Sequence, residues 1–272
     1  MMSTSTSLTA ARLDAVRAEG RAALVGYLPV GFPDPASCVT AVRTMIDAGV
    51  DVVELGVPYS DPVMDGVVIQ AAVERALAGG VRVADTLRTV EAVAGTGVPI
   101  LVMTYWNPVV RYGVDAFARD LAAAGGAGLI TPDLIPDEAD DWLTASDAHG
   151  LDRVFLVAPS STTERLALTA RASRGFVYAA STMGVTGTRA SVGTQARRLV
   201  EDTRRAGAER VCVGLGVSTP AQAAEVAEYA DGVIVGSAFV RPLLDAASVR
   251  DGVAELGRVV AGLADGVRGG GR

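Results

Sequence analysis

Glu54 and Asp65 are the residues of this chain best placed to do chemistry. Glu54 lies near the end of an apolar run, Val50 to Leu55, patterned like a buried parallel strand. A Glu inside such a strand is costly, because an unpaired buried charge costs several kcal/mol or else the pKa moves upward. A loop follows that carries Gly56, Pro58, Ser60, Asp61, Pro62 and Asp65, and then a helix-like run from Gly66 to Leu77. One carboxylate therefore ends a strand, and a second stands across a Pro- and Gly-shaped turn. Two carboxylates in unlike surroundings can divide acid and base roles at neutral pH.

The other residue types narrow the chemistry. All 24 residues counted as Lys plus Arg are Arg, so the chain has no Lys for a Schiff base, for covalent pyridoxal phosphate or for a P-loop. The single His, His149, stands in AHGLDR, a pattern of a helix end with a glycine cap. One His and two distant Cys do not make a zinc site. Cys38 and Cys212 read as buried free thiols suited to a reducing cytoplasm. Net charge is −7 without a basic cluster, which argues against nucleic acid and anionic membrane as partners. No apolar run has the length of a membrane span, and the polar N-terminus lacks the apolar core of a signal peptide. Carboxylates and tyrosines are what remain for proton transfer.

Positioning those groups falls to a regular alternation. Short apolar runs at Ala23–Leu28, Asp51–Leu55, Pro99–Thr104, Gly128–Thr131, Arg153–Val157, Phe176–Ala180, Arg210–Gly214 and Gly232–Val235 read as strands buried on both faces. Between them lie amphipathic runs: Pro35–Ala48, Gly66–Leu77, Val83–Ala94, Asp115–Ala124, Asp137–Ala148, Thr163–Ala172, Ser191–Ala206, Pro220–Tyr229 and Val249–Leu263. Eight such units in 272 residues predict an α/β fold, a (β/α)8 TIM barrel spanning 1–272 as a single domain. An extra N-terminal helix would cover the barrel floor, and residues 1–7 and 267–272 read as disordered tails. An open doubly wound sheet is the alternative topology.

In such a barrel the chemistry sits on the loops after the strands. Gly214-Leu215-Gly216-Val217-Ser218 after strand seven, and Gly236-Ser237 after strand eight, predict a phosphate site beside a short helix, Ala238–Leu244. The long Ser181–Gly193 loop, with Arg189, has the small-residue content of a lid. Tyr27, Tyr105 and Tyr178 fall at strand ends, with Ile130, Leu156, Leu215 and Ile234 at comparable depth. Together they suggest an apolar pocket beside the phosphate clamp.

The segments ELGVPYSDPVMDG, MTYWNP, PDLIPDE, GVTGTR, GLGVSTP and DGVIVGSAFV occur in that order between about Gly26 and Leu263. They closely resemble the tryptophan synthase alpha subunit family. The resemblance implies a (β/α)8 barrel that splits indole-3-glycerol phosphate into indole and glyceraldehyde 3-phosphate. It implies a cytoplasmic lyase of tryptophan biosynthesis with no cofactor of its own. The implied partner is a beta subunit, in an alpha2beta2 assembly, that carries pyridoxal phosphate and condenses indole with serine. Carried over by motif, Glu54 resembles the family's general acid–base and Asp65 the carboxylate that binds the indole N–H. Tyr178 resembles its active-site tyrosine, and Thr186 the lid threonine that contacts the second carboxylate. Gly187, Gly216, Gly236 and Ser237 resemble phosphate ligands, while Asp133 and Pro58 resemble residues at the beta contact. Two departures stand out: Met64-Asp65-Gly66-Val67 where ADGP is usual, and YLPVGFPDP where YITAGDP is usual.

A retro-aldol cleavage agrees with the residues present. Protonating indole C3 makes the ring an electron sink, so neither Schiff base nor metal is required. Other readings are a self-sufficient lyase on the same fold and a non-catalytic regulatory subunit. A phosphoribosyl-anthranilate isomerase would share the fold but lack ELGVPYSDP.

Overall fold

The computed structural model describes residues 7–180, 189–214 and 216–270. Eight parallel strands close into a barrel in chain order: β1 (Ala23–Pro29), β2 (Val52–Gly56), β3 (Ile100–Met103), β4 (Gly128–Thr131), β5 (Asp152–Val157), β6 (Val177–Ala180), β7 (Val211–Gly214) and β8 (Gly232–Val235). The ring closes through β1 against β8, where Val25 pairs with Ile234. Around it run α1 (Leu8–Ala18), α2 (Pro35–Asp47), α3 (Val67–Ala78), α4 (Val83–Ala94), α5 (Trp106–Tyr112), α6 (Val114–Ala123), α7 (Asp140–His149), α8 (Thr163–Ala172), α9 (Arg189–Arg205), α10 (Pro220–Ala227), α11 (Ser237–Asp245) and α12 (Val249–Gly269). The (β/α)8 expectation holds, and β4, β8, α4 and α8 match their expected limits residue for residue. No helix among the described residues is long and apolar enough to cross a membrane.

Among the differences from expectation, two have a clear physical cause. YWNPVVRYG, read as a loop, contains α5. Pro108 stands in the first turn of that helix, where its missing N–H would have no partner anyway, so it starts the helix instead of breaking it. At the C-terminus, residues 267–269, expected in the tail, are helical instead. Val267 is buried in the apolar core, and this contact carries α12 on to Gly269.

Strand alternation sorts the side chains. On β2, Val53 and Leu55 join the core between sheet and helices, while Val52 faces the barrel interior. Glu54, two residues from Val52, faces inward too. The barrel floor is closed by α1. Leu13 and Val16, three residues apart and so on one helix face, enter the interior cluster with Val25, Val52 and Cys212. Each buried side chain of that size contributes about 1.5–3 kcal/mol.

Polar contacts fix α1 in place. Its Arg12 pairs with Asp51 at 2.5 Å and its Arg17 with Asp231 at 2.8 Å, while the Thr9 N–H donates to Asp152 at 3.2 Å. Arg204 reaches the other oxygen of Asp231 at 2.8 Å, and the Val211 N–H donates to it at 2.9 Å. Burial raises the pKa of Asp231, but the Arg204 hydrogen bond, the Val211 N–H and the nearby guanidinium charges outweigh it, and the net shift is downward. A carboxylate with a lowered folded pKa stabilises above its unfolded value and loses that contribution as pH falls through the folded one. Asp231→Asn would leave two guanidiniums facing a neutral amide. The expected cost is about 3 kcal/mol in urea unfolding at pH 7, shrinking as both proteins are taken below pH 3.8. An unchanged midpoint at pH 7 would show that the floor contacts are dispensable.

Candidate active site

The C-terminal end of the barrel holds a cavity of about 420 Å³. Its wall includes Tyr27 from β1, Glu54 from β2, Met103 at the end of β3, Tyr178 and Ala180 from β6, Gly214 from β7 and Ile234 from β8. The loop after β2 adds Met64, Asp65 and Gly66, and α3 adds Ile69. Gly216, Gly236 and Ser237 close the rim.

Glu54 is 1% exposed, and its Oε1 has no hydrogen-bond partner. Burial alone lifts its pKa to about 8, so it holds a proton at neutral pH. Asp65 sits on the loop, half-buried and differently held. Burial raises its pKa, while the Tyr105 hydroxyl, 3.4 Å from Oδ1, opposes the rise. The same hydroxyl accepts from the N–H groups of Val63 at 2.9 Å and Met64 at 3.1 Å, and Gln70 Nε2 donates to the Asp65 carbonyl at 2.7 Å. The Tyr59 ring lies 5.2 Å from the Tyr105 ring, centre to centre. The loop is therefore pinned at the residues that flank its carboxylate.

Two glycines make room for two phenols. A Cβ on Gly56 would stand 2.2 Å from the Tyr27 hydroxyl, and one on Gly214 would stand 2.4 Å from that of Tyr178. Real side chains do not approach so closely, so each ring occupies the space its glycine leaves. Gly214→Ala is expected to cost about 1–3 kcal/mol by overpacking. Adding Tyr178→Phe should recover part of that loss, since the nearest clashing atom is the hydroxyl oxygen. Thermal unfolding of the single and double variants checks this; a simple additive loss would mean that the ring is not seated there.

At the other end, Gly236 precedes α11 with no side chain capping the helix, and Ser237 is its first residue. Uncapped N–H groups and the helix dipole make this end receptive to an anion. Gly216 supplies the second backbone of the rim, with φ +67°. The cavity thus has an anion-receptive end, an apolar middle and two carboxylates.

The profile of the family described as tryptophan synthase alpha chain matches residues 13–267. The chain belongs to this family. The tryptophan synthase alpha chain of Thermobifida fusca is 62% identical over 260 residues, covering 94% of this chain and 96% of its own. That of Salinispora arenicola is 64% identical over 255 residues, with coverage of 94% and 96%. Among solved structures, tryptophan synthase from Mycobacterium tuberculosis, in an open form with BRD0059 bound, superposes with a TM-score of 0.88 at 56% identity, covering 96% of this chain and 98% of its own. The alpha subunit from Legionella pneumophila gives 0.88 at 32% identity, with coverage of 97% and 99%.

For this alpha chain, Glu54, Asp65, Tyr27, Tyr178, Ile234, Gly216, Gly236 and Ser237 are brought to one cavity. Tyr105 is placed differently from the apolar wall expected of it: it underpins the Asp65 loop and is the residue before α5. Ile130 belongs to the interior cluster, and Leu156 packs against it. They sit outside the cavity lining but in the same cluster as Ile234 and the packed Met103 and Tyr178. Thr186, Gly187 and Leu215 lie outside the described residues, as does most of the expected lid. Gly214, expected in the phosphate loop, lines the cavity, whereas sequence reading gave no site role to Met64, Gly66, Ile69, Met103 or Ala180. The two-residue period could have found Ala180, which follows Tyr178 by two.

Proposed function

We propose that this alpha chain cleaves indole-3-glycerol phosphate by a retro-aldol reaction, with Glu54 as general acid–base and Asp65 as the charge-stabilising carboxylate. The observation that carries the reading is a buried Glu54 sharing one cavity with a better-solvated Asp65 and an anion-receptive rim. The phosphate would rest on the Gly216 and Gly236-Ser237 backbone, which leaves the indole to the apolar middle.

Glu54 gives its proton to indole C3, and positive charge develops at the ring nitrogen. Asp65, ionised, accepts the N–H hydrogen bond and stabilises that charge. The Glu54 carboxylate then takes the proton from the hydroxyl on the carbon next to C3. As the carbon–carbon bond breaks, its electron pair returns to the ring, a carbonyl forms, and Glu54 regains its proton. Each proton transfer by a positioned group supplies about 10²–10⁴-fold. This route asks nothing of a cofactor in this chain; pyridoxal phosphate belongs to the beta partner.

The partner is the tryptophan synthase beta subunit, in an alpha2beta2 assembly in the cytoplasm. Its landing surface is the rim around the Asp65 loop. Val63 and Val67 are 84% and 79% exposed there, and Val110 of α5 and Ile135 after β4 are exposed as well. Asp133 binds the Trp106 N–H at 2.9 Å, tying the β3 and β4 loops together, while Pro58 is buried beneath. Large exposed apolar residues grouped near a functional loop fit an interface. The test is indole release from indole-3-glycerol phosphate, with and without an added beta chain. Release that increases when the beta chain is added is the expected result. No release in either condition refutes the reading, and an unstimulated full rate favours a self-sufficient lyase.

A further inference from the structure

In the proposed reaction Glu54 is ionised between giving its proton to C3 and taking one from the substrate hydroxyl. A carboxylate in a dry cavity needs a donor during that interval, because an unpaired buried charge is costly. Its Oε1 has none in the resting protein.

The surroundings of Glu54 narrow the choice. Met103 at the end of β3 and Ile234 of β8 are apolar. The loop after β2 brings Asp65, which is itself an acid, and Cys212 of β7 is a weak donor placed in the interior cluster. Ser237 belongs to the phosphate end. Two phenols remain, Tyr178 of β6 and Tyr27 of β1; both are buried, and Glu54 is the first charge acting on Tyr178, while on Tyr27 it follows Asp65. Their seats differ. The Tyr178 hydroxyl rests over Gly214 on β7. Tyr27 is the register neighbour of Glu54, and its hydroxyl rests over Gly56, two residues beyond Glu54 on the same inward face of the same strand. Neighbouring strands run about 4.8 Å apart, so this hydroxyl is delivered to the strand that carries Glu54. Gly56 is what permits it: a Cβ there would stand 2.2 Å from the oxygen and displace it. Burial keeps the Tyr27 phenol protonated, and the acids around it push in the same direction.

We propose that the Tyr27 hydroxyl donates a hydrogen bond to the Glu54 carboxylate while it is ionised, which makes Tyr27 a positioning residue for the proton relay and not only a wall of the indole pocket. The inference rests on the reaction proposed above. Tyr27→Phe keeps the ring and removes the donor. A hydrogen bond to a charged group carries about tenfold or more in the step that needs it, so kcat for indole release should fall about tenfold with KM nearly unchanged. The same loss disfavours the ionised form of Glu54, so the alkaline limb of the pH–rate profile should move up by about one pH unit. A slower enzyme that stays active to higher pH is not what a looser pocket would produce.

Activity is measured on the wild type and the variant with the beta chain present. The Glu54 titration is followed separately by its infrared carboxyl band, with Glu54→Gln identifying the band. If the wild type releases no indole, the function reading fails. If the wild type is active while Tyr27→Phe keeps its kcat or its alkaline limb, or raises only KM, the Tyr27 inference alone is overturned. Should Tyr27→Phe melt early, the infrared titration at low temperature still decides: an unmoved Glu54 pKa overturns the inference.

Discussion

Glu54→Gln is expected to abolish indole release, by more than about 10³-fold, while making the folded protein harder to unfold at alkaline pH. The first effect follows from losing both proton transfers assigned to one group, each contributing about 10²–10⁴-fold. The second follows from linkage. The folded pKa of Glu54 is about 8 against an ordinary 4.5. Between those values the unfolded chain is ionised while the folded chain keeps its proton, so stability falls as pH rises through the window. Below pH 4.5 the penalty is absent, and above about 8 it is complete, on the order of 3 to 5 kcal/mol. Glutamine has no proton to lose. Urea midpoints of the two proteins should therefore diverge between pH 5 and pH 8 in favour of the variant. A gap that stays constant across that range would mean that Glu54 is solvated or paired in the folded protein.

Asp65→Asn should cost about 10²–10³-fold in kcat, the usual loss when one group that stabilises developing charge is removed. The asparagine still fits the loop and still offers an oxygen to the indole N–H, so KM should change by less than tenfold. Stability should hardly move, because Asp65 is half-buried on a loop and its link to Tyr105 is long at 3.4 Å. Steady-state kinetics with the beta chain present separates the terms. A loss confined to KM would make Asp65 a binding group and remove it from the chemistry.

The legible part of this protein was the part governed by local pattern. Val52, Val53 and Leu55 surround Glu54 with apolar neighbours, and that contrast already marks a buried acid. Gly236-Ser237 after a terminal strand marks a helix start without a side-chain cap, whose backbone N–H groups are free to receive an anion. What stayed hidden depended on neighbours far along the chain. Nothing near Tyr105 says that its hydroxyl will hold Val63 and Met64, about forty residues earlier. Pro108 looked like a loop residue because a proline that starts a helix and one that breaks a helix have the same local pattern.

By itself, the sequence determined the barrel, through eight evenly spaced apolar runs, and singled out the two acids as candidates, through their motif and their unlike surroundings. It also removed lysine chemistry outright. Only the closed barrel decided how dry Glu54 is, because that depends on side chains from β1, β3, β6 and β8 meeting over it. The same closure seated Tyr27 over Gly56 and Tyr178 over Gly214. Those seats depend on register between neighbouring strands, and register is settled by packing the whole ring at once.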